Sequence, residues 1–132
     1  MSNEFIEKGA EKALEQKLRL QKEGGYIILP TEIPRRLLPE LVKKYGGRTA
    51  RDAFTLFMYL HSYVNGSADN ALYMWAFPAF EDIVKDTGIH RNRISTLVAI
   101  LKAEGLIKTS SVASGGHRKN VYLPLFYAEE NV

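Results

Sequence analysis

The chain has 132 residues, 45% hydrophobic and 25% charged, with no cysteine and 18 basic against 15 acidic side chains. A chain of this size and balance forms a compact domain, burying roughly two thirds of the surface it exposes when unfolded. The absence of cysteine excludes disulfides, thiolate zinc sites and cysteine nucleophiles, and a net charge of +3 leans toward an anionic partner without naming one.

The opening residues, Met1-Ser2-Asn3-Glu4-Phe5, are charged too early for a secretory signal. Together with the lack of cysteine they predict a cytoplasmic protein. The longest charge-free stretch, residues 53–68, contains His61, Ser62, Asn65 and Gly66 and falls short of the roughly 20 apolar residues of a bilayer crossing, so no membrane partner is expected.

Three glycine pairs, at 24–25, 46–47 and 115–116, divide the chain where its hydrophobic pattern changes. Residues 3–23 carry Ile6, Ala10, Ala13, Leu14 and Leu18 at helical spacing, with Glu4/Lys8 and Glu15/Arg19 pairs, and predict an amphipathic helix. The thin stripe suits a solvated helix resting on the body, with a dimerisation arm as the second reading. Tyr26-Ile27-Ile28-Leu29 before Pro30 reads as a strand or extended segment covering the core. Leu37, Leu38, Leu41, Val42 and Tyr45 follow at helical spacing, and Pro39 predicts a turn and then a short helix closing at Gly46. Residues 1–48 are thus expected to form a helical extension with a short extended segment.

Thr49 is placed to cap a longer helix with the stripe Ala53, Leu56, Phe57, Leu60 and Val64, stopping at Asn65-Gly66. His61 on its flank has no second ligand one turn away, so a structural or surface position is expected for it. After the loop 68–71, Leu72 to Phe77 is strand-like, with Tyr73, Trp75 and Phe77 on one face. Core packing is the expected use of those rings, because no Arg or Lys alternates with them as a stacking platform for single strands requires.

The informative part begins at Pro78, suited to the first turn of a helix. Glu81 and Asp82 complement the dipole of that helix, Phe80, Ile83 and Val84 form its apolar face, and Gly88 ends it. Three residues later Ile94, Leu97, Val98 and Leu101 open a second helix that closes at Glu104-Gly105. Two helices around a glycine turn make a helix-turn-helix. With Ile94 centred on the buried face, Asn92, Ser95, Thr96 and Ala99 lie opposite it, small and able to hydrogen-bond. A helix entering a DNA major groove needs such a face. Arg91 and Arg93 flank it, within reach of guanine edges or phosphates.

Beyond Gly105, residues 106–112 and 120–125 are β-prone and enclose Ala113-Ser114-Gly115-Gly116-His117-Arg118-Lys119, a hairpin with a flexible basic tip. Beside a recognition helix, His117, Arg118 and Lys119 would lie against phosphates or enter the minor groove. From Gly88 to Leu125 the bases Arg91, Arg93, Lys102, Lys108, Arg118 and Lys119 face the single acid Glu104, a net of +5, which leaves −2 elsewhere.

Residues 49–125 resemble the winged-helix superfamily of DNA-binding domains. The stretch from Trp75-Ala76-Phe77-Pro78 through Gly88-Ile89-His90-Arg91 to Leu101-Lys102-Ala103-Glu104-Gly105-Leu106-Ile107 looks like the helix-turn-helix of plasmid and phage replication initiators and their regulators. Tyr26 to Pro30 looks like the segment preceding it. The resemblance implies an α+β, mainly helical winged helix-turn-helix over residues 49–132, binding double-stranded DNA in replication initiation or transcriptional regulation, often as a homodimer. His90 stands where that family usually carries a Ser or Thr cap, which leaves a shifted helix start or a phosphate contact open. The expected DNA-binding residues are His90, Arg91, Asn92, Arg93, Ser95 and Thr96 of the recognition helix and His117, Arg118 and Lys119 of the wing. The alternative is a winged helix that contacts protein in a replication or partition complex.

Enzymatic chemistry has little support. The chain has no phosphate-binding glycine loop with its lysine, its three histidines are far apart, and the acids Glu81, Asp82 and Asp86 read as a helix start. No catalytic residue, metal, cofactor or small-molecule substrate is therefore expected.

Overall fold

The computed structural model of the protein describes residues 3–129. These form a mainly helical α+β fold: α1 Asn3–Glu23, a π-helical turn Ile33–Leu37, α2 Leu38–Tyr45, α3 Gly47–Ser62, α4 Phe80–Thr87, α5 Arg91–Ala103, and the antiparallel strands β1 Ile107–Ser114 and β2 His117–Pro124. No helix among them is long and apolar enough to cross a membrane.

Strong helix formers (Ala, Leu, Glu, Lys, Gln and Arg) dominate α1 from Ala10 onward, after the single Gly9, and Lys8 Nζ lies 2.9 Å from Glu4. Arg19 pairs with Glu23 at 3.1 Å, one turn onward, rather than with Glu15. None of the residues of α1 is buried. The helix therefore does not rest on the body as expected. Gly24 and Gly25, both left-handed at φ 78° and 77°, redirect the chain, and residues 33–45 take the place on the core that α1 could have filled.

Tyr26-Ile27-Ile28 forms no strand and is exposed, so the expected cover over the core reduces to Leu29, which packs against it. The expected turn before α2 is itself helical, and Pro39 breaks nothing. In the π-helical turn the Leu38 N–H donates to the Ile33 carbonyl five residues back, and this wider ladder places Pro39 in the first turn of α2, where an N–H is dispensable. Ile33, Leu37 and Leu41 join Leu56, Phe57 and Leu60 of α3, Ile83 of α4, and Ile94, Leu97 and Leu101 of α5 in the core. Residues 33–45 therefore share the body's core.

Helix α3 begins at Gly47 behind Gly46 (φ 88°), without a side-chain cap, so Thr49 does not cap it. The helix stops at Ser62, before Asn65. Leu72 to Phe77 is not a strand. Asn70 Oδ1 accepts from the Leu72 N–H at 2.8 Å and the Asn70 carbonyl from the Tyr73 N–H at 3.0 Å. This local turn captures residues whose propensity alone favours pairing. Only Ala76 behaves as a strand: it donates to the Tyr122 carbonyl at 2.7 Å and accepts from the Tyr122 N–H at 2.8 Å, a one-residue bridge to β2.

Pro78 lies outside α4, because the helix starts at Phe80 behind Ala79. At its far end Gly88 adopts φ 72° in the left-handed region, where its N–H reaches the Val84 carbonyl, and the chain turns directly toward α5. The hairpin pairs Ile107 with Pro124 through to Ser114 with His117. Only Gly115 and Gly116 form its turn, at φ 53° and 82°, as a two-residue hairpin turn with two positive φ values demands. The tip is thus not a seven-residue loop, and His117, Arg118 and Lys119 are strand residues.

Candidate nucleic-acid interface

The candidate surface is built on α5. Ile94, Leu97 and Leu101 are buried, each worth about 1.5–3 kcal/mol on full burial, and they fix the rotation of the helix about its axis. That rotation leaves Asn92, Ser95, Thr96 and Ala99 exposed in one stripe. His90 caps the helix: its Nδ1 accepts from the Asn92 N–H at 3.2 Å. A ring nitrogen thus does the work of the expected hydroxyl, and the helix start is not shifted.

The two arginines beside the stripe diverge. Arg91 pairs with Glu81 of α4 and lies over the Phe80 ring, 5.4 Å from its centroid. About half of its side chain stays exposed, so it remains at the margin of the stripe. Arg93 does not join that surface. Its guanidinium turns inward to pair with Asp52 and to donate to Thr49 Oγ1 at 3.3 Å, pinning α5 to α3. At 100° per residue, Arg93 stands a quarter turn or more from Asn92 on the side facing α3, and an acid waits there.

On the hairpin, Arg118 is held across the sheet: Nε donates to Ser111 Oγ at 3.0 Å and Nη2 to the Ser111 carbonyl at 2.8 Å. Lys119, on the opposite face of the strand, places Nζ 4.1 Å from the centroid of Phe77. His117 is exposed at the turn. Between α5 and the hairpin lies a cleft of about 610 Å³, floored by Ile94, Val98 and Tyr122 and edged by Ser95, Lys102, Thr109, Ser111 and Asn120. Burial pushes the Tyr122 hydroxyl above its usual range, against a lowering contribution from Asn120, so its proton stays in place at neutral pH.

The structure thus brings His90, Arg91, Asn92, Ser95 and Thr96 onto one helix end and Arg118 and Lys119 onto the adjoining hairpin, and it removes Arg93. Sequence reasoning missed the two exposed rings under cations, Phe77 beneath Lys119 and Phe80 beneath Arg91. Lys119 comes from the hairpin, 42 residues beyond Phe77, so alternation along residues 72–77 carried no sign of it, and Arg91 reaches Phe80 across the turn between α4 and α5. Among the described residues no cluster of three His, Asp or Glu side chains could hold a metal ion.

His61 is buried, and its Nε2 lies 3.0 Å from the Leu125 carbonyl. A carbonyl only accepts, so Nε2 carries the proton and donates. The ring meets Phe57 edge-on at 4.7 Å and Phe126 at 5.0 Å. Burial lowers its pKa below 6.5, partly opposed by the hydrogen bond to Leu125. This histidine supports the fold and is remote in character from the polar stripe.

Compared with protein-family models, curated proteins and solved structures, the chain matches none.

Proposed function

We propose that the protein is a sequence-specific double-stranded DNA-binding protein of winged-helix type, with α5 as recognition helix and the β1–β2 hairpin as wing. One observation carries the reading: a buried apolar face fixes α5 so that its opposite face is a small polar stripe, directly beside a basic hairpin. Asn92 offers the amide pair that matches adenine in the major groove, Ser95 and Thr96 offer hydroxyls, and Ala99 offers a methyl for thymine. Arg118 and Lys119 neutralise phosphate alongside. Arg91, exchanging Glu81 for a phosphate or a guanine edge, completes the surface. The net of +5 over residues 88–125 provides the sequence-independent attraction.

The process served is replication initiation on a plasmid or phage, or transcriptional regulation. Sites selected from a DNA library separate the two: iterated sites in an origin mark replication, and one inverted repeat over a promoter marks regulation. On a selected site, Asn92→Ala costs about 1–3 kcal/mol of specific binding and relaxes one base position. Lys119→Ala weakens all sequences alike and reduces the salt slope by about one. Unchanged binding by Asn92→Ala and Ser95→Ala overturns the assignment of the reading face. Failure to bind any duplex at low salt favours the protein-contact alternative.

A further inference from the structure

We infer that the groove between residues 25–28 and the end of α3 binds a neutral aromatic molecule with one hydrogen-bond donor, of the phenol or indole class, and that His61 Nδ1 is its acceptor. This goes beyond the DNA-binding reading and does not depend on it. The groove has a volume of about 750 Å³. Tyr26, Ile27, Ile28 and Phe126 supply its apolar walls, His61 and Ser62 are its polar side chains, and no charged side chain lines it. Apolar walls with a few fixed polar groups, in a volume of this size, are the ordinary make-up of a small-molecule site.

The chemistry of the occupant follows from what the groove offers. His61 is only 5% exposed, and its ring is held by the Nε2 bond to the Leu125 carbonyl, the edge-on contact with Phe57 and the contact with Phe126. With the proton on Nε2, Nδ1 is left as a lone-pair acceptor. Among the described residues nothing donates to Nδ1, and no unpartnered side-chain nitrogen or oxygen is sealed from solvent. Nδ1 therefore opens into the groove that the ring lines. Ser62 Oγ donates to the Tyr59 carbonyl at 2.6 Å, so it too has only lone pairs to offer. Both polar side chains thus ask the occupant for an N–H or O–H. A charged occupant would lose hydration and meet no counter-charge in return. Phe126 and Tyr26 favour a ring, which packs on them by edge or face. A rigid ring also loses little freedom on binding, and the imidazole that receives its proton is already fixed in direction.

Indole and indene form the test pair, because indene replaces the indole N–H by a methylene group and changes little else. Titrated into the full-length protein at neutral pH and followed by NMR, indole should shift the His61 Nδ1 resonance and the amides of residues 25–28. It should bind about three- to tenfold more tightly than indene, the effect of one hydrogen bond. Ile28→Asp puts a carboxylate into an exposed wall outside the core; it should weaken indole binding about tenfold or more and keep the urea midpoint of the parent. His61→Phe keeps a ring and removes the acceptor, so it should bind the two molecules alike; if it does not fold, the parent and Ile28→Asp decide. Equal affinity of the parent for indole and indene, an unmoved Nδ1 resonance, or undiminished binding by Ile28→Asp each overturns the proposal. So does the absence of binding at millimolar concentration, or a set of shifts confined to the cleft between α5 and the hairpin. The test contains no DNA and decides this site whatever the outcome for duplex binding.

Discussion

His61 illustrates how a polar residue inside a core ties stability to pH. Its folded pKa lies below the 6.5 of the free side chain because burial disfavours the imidazolium. Between the folded pKa and 6.5 the unfolded chain binds more protons than the folded one, so stability rises with pH across that window and is lost as pH falls through it. Urea midpoints measured from neutral to mildly acidic pH should decline for the parent, with a shallower decline for His61→Gln. Equal slopes would show that other groups carry the acid sensitivity. The burial of His61 was only half legible in the sequence. The helical stripe located it on a flank, but the residues that enclose it, Phe126 and the Leu125 carbonyl, come from beyond the hairpin. Arg93 teaches the converse: its neighbours on the helix are readable, yet Asp52 lies 41 residues away and no local pattern announces it.

Between elements, the Arg93–Asp52 contact joins α5 to α3, and Glu81–Arg91 joins α4 to α5. Side-chain exposure is 25% and 28% in the first pair, 51% and 75% in the second. Removing Arg93 leaves Asp52 partly desolvated without its partner, so Arg93→Ala should lower unfolding free energy by about 1–3 kcal/mol in chemical denaturation. Arg91→Ala should change it by less than about 0.5 kcal/mol. If the two variants were equally stable, the pin between α5 and α3 would be absent in solution. The helices α4 and α5 and the glycine turn between them were legible, because apolar spacing and Gly88 act within one or two turns of chain. Strand assignments fared less well. The hairpin is real, but its strands run to the two-residue turn, because β-ladder pairing continues as long as both partners are present, whatever the propensity of Ser114 or His117. Leu72 to Phe77 failed because an Asn70 side chain held the backbone in a turn.

Across the whole molecule, Ile33, Leu37 and Leu41 are core residues whereas α1 and Tyr26 to Ile28 are exposed. Limited proteolysis should therefore cut first near Tyr26 and leave a body with the thermal midpoint of the intact chain; early cleavage between α2 and α3 would contradict this. The charge division is equally regional: residues 88–125 carry a net of +5 in a chain whose remainder is slightly acidic, a polarity that would orient the molecule toward DNA under the proposed function. The one-residue bridge at Ala76 attaches the hairpin to the loop that leaves α3. The neighbour of Ala76 is Trp75, the chain's single tryptophan. The molecule therefore carries an intrinsic optical reporter beside the junction of its hairpin with that loop, and emission excited in the indole band should respond when the Ala76–Tyr122 bridge is broken.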